Sequence, residues 1–270
     1  MSVKPVPPPS SRLLFLPAHD TEYVHFAGAK VRPFEPESAG FSATNAWWLA
    51  DAALLAYWPP EQAPATFARA GLVHTQFFTH GSTQCYVASN EQFAITSFRG
   101  TEINHLEDQL ADADIKLTQW DAEGRVHHGF LGALDLVWPA VEAHLATLQR
   151  RTLWFTGHSL GAALATLAAR RYTRPGRAVA GLYTIGSPRV GDREFVAGFQ
   201  VALLGRSFRY VNGKDGVTDV PPPALGYEHV AEERHLDSES LPHPLLAGLG
   251  APLIDHTPRR YATLIWNEIP

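Results

Sequence analysis

The 270-residue chain predicts an α/β fold with a largely parallel central sheet flanked by helices. Three observations carry that expectation. Strands alternate with helices through the second half, a pattern that sets parallel strands side by side through helical crossovers. Two of those strands, 153–156 and 179–185, are continuous apolar runs, as expected where helices cover both sheet faces. Charged residues make up only 18% and apolar ones 45%, a balance suited to a large buried core.

The elements follow in order. Pro5, Pro7, Pro8 and Pro9 mark residues 1–12 as an extended, mobile arm. Residues 13–270 contain no internal repeat and read as one domain. Ser42 is an N-cap for a helix running to Tyr57, where Pro59 and Pro60 stop it. Strands are expected over 73–78, 85–88 and 93–98, with Gly81-Ser82 and Asn90-Glu91 as hairpin turns. Leu131, Leu134, Val137, Val141 and Leu145 recur at helical spacing within 129–149. After the 153–156 strand come a helix of small residues (159–172), the 179–185 strand, a helix over 192–204, a strand over 208–211 and a last helix over 256–266. Asp192 and Glu194 suit the first turn of their helix. The doublets Arg150-Arg151, Arg170-Arg171 and Arg259-Arg260 are expected at helix C-terminal ends, where the macrodipole favours cations.

Composition excludes several functions. Lys and Arg number 22 against 27 acidic residues, a net charge of −5, and no basic run offers nucleic acid a footprint. With one cysteine, Cys85, no internal disulfide, thiolate zinc site or CxxC pair can form. Despite 13 histidines there is no HExxH cluster, so no metal and no cofactor are expected. No stretch reaches the ~18 apolar residues of a membrane span, and Leu13 to Leu16 is too short for a signal peptide's apolar core. The expectation is a soluble monomer without a cleaved leader, either cytoplasmic or secreted without a recognisable signal peptide, with the cytoplasm favoured.

The strongest local motif is Gly157-His158-Ser159-Leu160-Gly161, a G-x-S-x-G turn between an apolar strand and an alanine-rich helix. Such a turn exposes Ser159 as a nucleophile, and its glycines avoid collisions across the turn. A serine hydroxyl needs a base, and the base needs an orienting acid. Asp215 follows the 208–211 strand directly, between Gly213 and Gly216, with Asp219 four residues on. His229, His235, His243 and His256 all follow Asp215, and spacing alone does not choose among them.

Several motifs in one order resemble the class 3, fungal-type lipases of the α/β-hydrolase superfamily. They are Phe98-Arg99-Gly100-Thr101, Val126-His127-His128-Gly129-Phe130, the elbow at Ser159, Gly186-Ser187-Pro188-Arg189-Val190-Gly191, Asn212 to Val217 with Pro221-Pro222, and Asp255-His256 followed by Tyr261. The resemblance implies a serine carboxylic ester hydrolase acting on acylglycerols or related fatty-acyl esters. It implies Ser159 as nucleophile, Asp215 as acid, His256 as base, and the N–H of Leu160 with the N–H and hydroxyl of Thr101 as oxyanion donors. His158 is expected to pack or hydrogen-bond behind the nucleophile. Phospholipase A1, feruloyl esterase and acyltransferase activities use the same triad. A non-catalytic binding module would have no need of all these residues.

The resemblance also places a lid after the oxyanion loop. Ile103, Leu106, Leu110 and Ala113 form a short stripe there, among acidic residues and without the lid tryptophan, Gln109 standing near its position. That favours shorter or more soluble esters over strong interfacial activation. The apolar loop 243–254, next to His256, is expected to line the acyl pocket.

Overall fold

The computed structural model describes residues 4, 17, 22–101, 115–174, 176–237 and 251–270. The first long helix, α1 (Ala43–Leu55), starts where Ser42 accepts a hydrogen bond from the Asn45 N–H, as expected. A short helix, α2 (Ala63–Arg69), follows; Pro64 and its neighbours gave no apolar period to predict it. Strands β1 (His74–His80), β2 (Thr83–Ser89) and β3 (Phe93–Phe98) form an antiparallel meander through the two expected turns. Next come a small hairpin, β4 (Leu117–Gln119) with β5 (Arg125–His127), and the long helix α3 (His128–Ala146).

From there the chain alternates. β6 (Thr152–His158), α4 (Leu160–Tyr172), β7 (Gly181–Ile185), α5 (Arg193–Leu203) and β8 (Ser207–Asn212) lead to β9 (Glu232–Leu236). Two last helices, α6 (Ala251–Asp255) and α7 (Pro258–Asn267), complete the described chain. Seven strands form one sheet in the order β1-β2-β3-β6-β7-β8-β9, and every pairing from β3 onward is parallel.

Two cores cover the two faces. Ile95, Trp154, Tyr183 and Phe208 point toward α1 and α7, with Trp47 and Ile265 between them. Their strand neighbours Ala94, Leu153, Phe155 and Leu182 point the other way, against α3, α4 and α5. Burial on both faces explains why these strands read as continuous apolar runs. β9 breaks that pattern. It is the sheet's edge and reads Glu-Glu-Arg-His-Leu, the charged sequence that protects an edge from further pairing. Sequence periodicity missed it for that reason.

The arginine expectation holds at Arg170 and Arg171, in the last turn of α4. It fails at Arg259 and Arg260, which sit in the first turn of α7. A local ion pair overrides the dipole there: buried Arg260 lies 3.7 Å from the Asp255 carboxylate. Of the expected arm only Lys4 is described, and it is docked. Its N–H donates to Asn267 Oδ1 and its carbonyl accepts from Asn267 Nδ2, while its ammonium lies 4.3 Å from the Trp266 ring centre. The rest of the arm, the lid stripe and most of loop 243–254 lie outside the described residues. Among the described residues no helix is long and apolar enough to cross a membrane.

Candidate active site

Ser159 sits at the C-terminal end of β6, the middle strand of seven, immediately before α4. Its backbone adopts φ +59° and ψ −129°, a conformation that strains any residue with a side chain. Packing enforces it. A Cβ on Gly157 would lie 2.2 Å from the Gly161 carbonyl oxygen, and one on Gly161 would lie 2.2 Å from that of Phe98. The turn therefore closes only with glycine at both positions. The Ser159 N–H continues the sheet by donating to Ile185 O. Leu160 opens the helix, so its N–H points out of the first turn.

Asp215 lies three residues beyond β8 and is almost fully buried. Its carboxylate is surrounded by donors. His256 Nδ1 lies 2.8 Å from Oδ2 and 3.0 Å from Oδ1. The Val217 N–H donates to Oδ1 at 2.9 Å, and the Tyr261 hydroxyl donates to Oδ2 at 2.6 Å. Since a carboxylate only accepts, Nδ1 of His256 carries the proton facing Asp215. Its other nitrogen, Nε2, and the Ser159 hydroxyl are buried atoms with no hydrogen-bond partner among the described residues.

The loop bearing His256 is fixed from several sides. Asn212 Nδ2 donates to the Asp255 carbonyl, and the Lys214 N–H donates to the Asp255 carboxylate, both at 2.9 Å. Tyr261, on α7, accepts from the Asn212 N–H while it donates to Asp215. Burial and then the neighbouring Asp215 hold its phenol well above the ordinary value, so it stays a donor. Gly186, with φ +58°, gives the pair room: a Cβ there would come within 2.8 Å of Asp215 and 3.0 Å of His256.

Spacing left four histidines open, and the structure brings one of them to the Asp215 carboxylate. His256 meets Asp215. His229 instead donates from Nε2 to the Thr218 carbonyl and packs beside the Asp215 turn. Burial first, then Arg209 and Arg189, push its pKa down to about 3, so it stays neutral. His235 is an exposed residue of the edge strand, and His243 lies outside the described residues. His158 hydrogen-bonds behind the turn, as expected, with Tyr57 and the His256 carbonyl. Thr101 ends the stretch after β3, and its carbonyl is 3.5 Å from the Tyr57 hydroxyl. Asp192 caps α5, accepting from the Phe195 N–H and pairing with Arg125. Sequence reasoning missed Tyr57 altogether, because its contact with His158 spans 101 residues and leaves no local signal. It noted Tyr261 only as part of a motif.

Residues 95–225 match the class 3 lipase family, a span holding Thr101, Ser159 and Asp215. That span is 131 of the 270 residues, just under half of the chain. The chain is 40% identical over 120 residues to a secreted mono- and diacylglycerol lipase of Fusarium solani, covering 43% of this chain and 35% of that one. It is 31% identical over 150 residues to a secreted mono- and diacylglycerol lipase of Malassezia globosa, covering 50% and 49%. The chain thus spans between about a third and a half of these two relatives. The solved triacylglyceride lipase of Rhizomucor miehei overlays with a TM-score of 0.54 at 28% identity, over 61% of this chain and 65% of that one. The mono- and diacylglycerol lipase of Aspergillus oryzae, at 20% identity and a TM-score of 0.63, shares the fold over 74% and 81%.

These relatives correct one expectation. Three relatives similar to this chain are named secreted, which points to secretion and not to the cytoplasm. The cytoplasmic reading leaned on the single cysteine. Cys85 is fully buried and burial pushes its thiol pKa up, so it is inert in either redox environment and reports on neither.

Proposed function

We propose that the chain is a serine carboxylic ester hydrolase that cleaves acylglycerols or related fatty-acyl esters through an acyl-enzyme on Ser159. One observation carries the reading: a buried carboxylate–imidazole pair, Asp215 and His256, stands at the same C-terminal end of the parallel strands as a serine on a strained strand–helix turn. The names of the Fusarium and Malassezia relatives support acylglycerols as the substrate class. Every residue invoked belongs to one chain, so the reading takes a single copy, with residues 13–270 as one domain, as the acting unit.

Ser159 Oγ attacks the ester carbonyl while His256 Nε2 takes its proton. Asp215 holds Nδ1–H, which fixes the imidazole's tautomer and stabilises the imidazolium that forms. The carbonyl oxygen becomes an oxyanion, for which the N–H of Leu160 and the N–H and hydroxyl of Thr101 are the assigned donors. Each such donor typically contributes about 2.7–4 kcal/mol to lowering the barrier. His256 then protonates the departing alcohol, and water repeats the sequence on the acyl-enzyme.

Fluorophosphonate labelling of wild type and Ser159→Ala tests this directly, followed by p-nitrophenyl esters from acetate to palmitate. The proposal expects labelling and turnover in wild type and neither in the variant. Labelling that survives Ser159→Ala, or wild type inert to probe and ester alike, would sink it.

A further inference from the structure

The chemistry above leaves one buried histidine of the site without a task. His158 precedes Ser159 in the chain, and its ring lies 4.4 Å, centre to centre, from that of His256. A carbonyl oxygen only accepts, so the 2.6 Å contact between His158 Nε2 and the His256 carbonyl places a proton on Nε2. Burial, and then the neighbouring His256, hold the ring's pKa well below the ordinary value, so it carries that one proton and no other. Nδ1 is left with a lone pair, and the Tyr57 hydroxyl 2.8 Å away donates to it. Both contacts are satisfied by the same tautomer.

This arrangement has a geometric consequence. Asp215 holds the His256 imidazole at Nδ1 only, and a ring held at one atom can swing unless its backbone is fixed as well. Asn212 and Lys214 fix Asp255, the residue before. His158 fixes the carbonyl of His256 itself, across 98 residues of sequence. Because His158 is bonded directly to Ser159, that hydrogen bond also gauges the base against the nucleophile.

We infer that His158 is a positioning residue: its Nε2–H, bonded to the His256 carbonyl, sets the reach of the His256 ring toward the Ser159 hydroxyl. Tyr57 makes it a donor by occupying Nδ1. The inference rests on the hydrolase reading above.

Steady-state kinetics with p-nitrophenyl butyrate on H158L, H158Q and Y57F test it. In H158L kcat falls between about tenfold and a hundredfold, the scale of a sub-ångström to ångström misplacement, while KM stays within about twofold. H158Q keeps an amide N–H within reach of the carbonyl and recovers most of kcat. Y57F, which leaves Nδ1 without its donor, falls between them. The downfield proton resonance of the His256–Asp215 hydrogen bond persists in each folded variant and shows that the pair itself is intact. If H158Q is no better than H158L, or if kcat falls only in proportion to a loss of that resonance, His158 serves folding alone and the inference is overturned. Should H158L not fold, Y57F decides, and a kcat equal to wild type overturns the inference. Wild type that neither labels at Ser159 nor turns over ester overturns the hydrolase reading instead, which keeps the two failures apart.

Discussion

Around Ser159 the backbone does the positioning: a strained φ, two glycines in van der Waals contact with facing carbonyls, and a sheet hydrogen bond to Ile185. Around Asp215 and His256 side chains do it, through Tyr261, Asn212, Asp255 and His158. The first region is steric and all-or-none, whereas the second is a polar network whose members can be removed one at a time. Damage should therefore appear as lost folding in the one and as graded lost chemistry in the other.

The largest expected effect tests the polar side. Asp215→Asn should fold, because the amide oxygen still accepts from Val217 and the shape is kept. Its kcat should drop about 10⁴-fold, as the imidazole loses its orienting acid. Circular dichroism beside ester kinetics would show it, and a variant that unfolds instead would erase the contrast. On the steric side, Gly161→Ala forces a Cβ to 2.2 Å from the Phe98 carbonyl oxygen. It should destabilise by about 4 kcal/mol or more, read as a collapse of Tm or of soluble yield. A folded Gly161→Ala with impaired kcat would move the elbow into the graded class.

Smaller changes sharpen the polar side. Tyr261→Phe removes the donor to Asp215 and the acceptor for the Asn212 N–H, both buried. It should cost about 1–3 kcal/mol in urea denaturation and leave a folded enzyme with reduced kcat. His229 supplies a pH test beside the same turn. Its folded pKa of about 3 lies below the ordinary imidazole value of 6.5, so between these values the unfolded chain binds a proton that the fold refuses. The associated stability is fully present above about pH 6.5 and is lost as pH falls. By pH 5 the loss reaches at most about 2 kcal/mol. His229→Gln keeps a donor for the Thr218 carbonyl and should flatten the fall in Tm from pH 7 to pH 5. An unchanged slope would mean that the acid sensitivity resides elsewhere.

The same contrast governs what the sequence revealed. The elbow is local, five consecutive residues between an apolar strand and a small-residue helix, and those residues alone made its place at a strand end legible. Asp215 was legible as a carboxylate between glycines after a strand. His256 was not legible from spacing, since four histidines satisfied the order; the family motifs selected it. The network that holds it was less legible still. Tyr57 and His158 meet across 101 residues and Asp255 meets Lys214 across 41, and no periodicity encodes such contacts. Three-residue strands β4 and β5 are too short for a period, and β9 is charged because it is an edge.

The backbone strain at Ser159 has a consequence for how such a protein can change over time. Its φ and ψ are those that glycine adopts freely, and a non-glycine residue held there forgoes about 1–3 kcal/mol. Selection for thermal robustness alone would favour glycine at this position, a substitution that removes the hydroxyl. On the proposed hydrolase reading, the serine therefore persists only while turnover is under selection. Stabilising designs guided by folding energy would have to leave this one residue untouched.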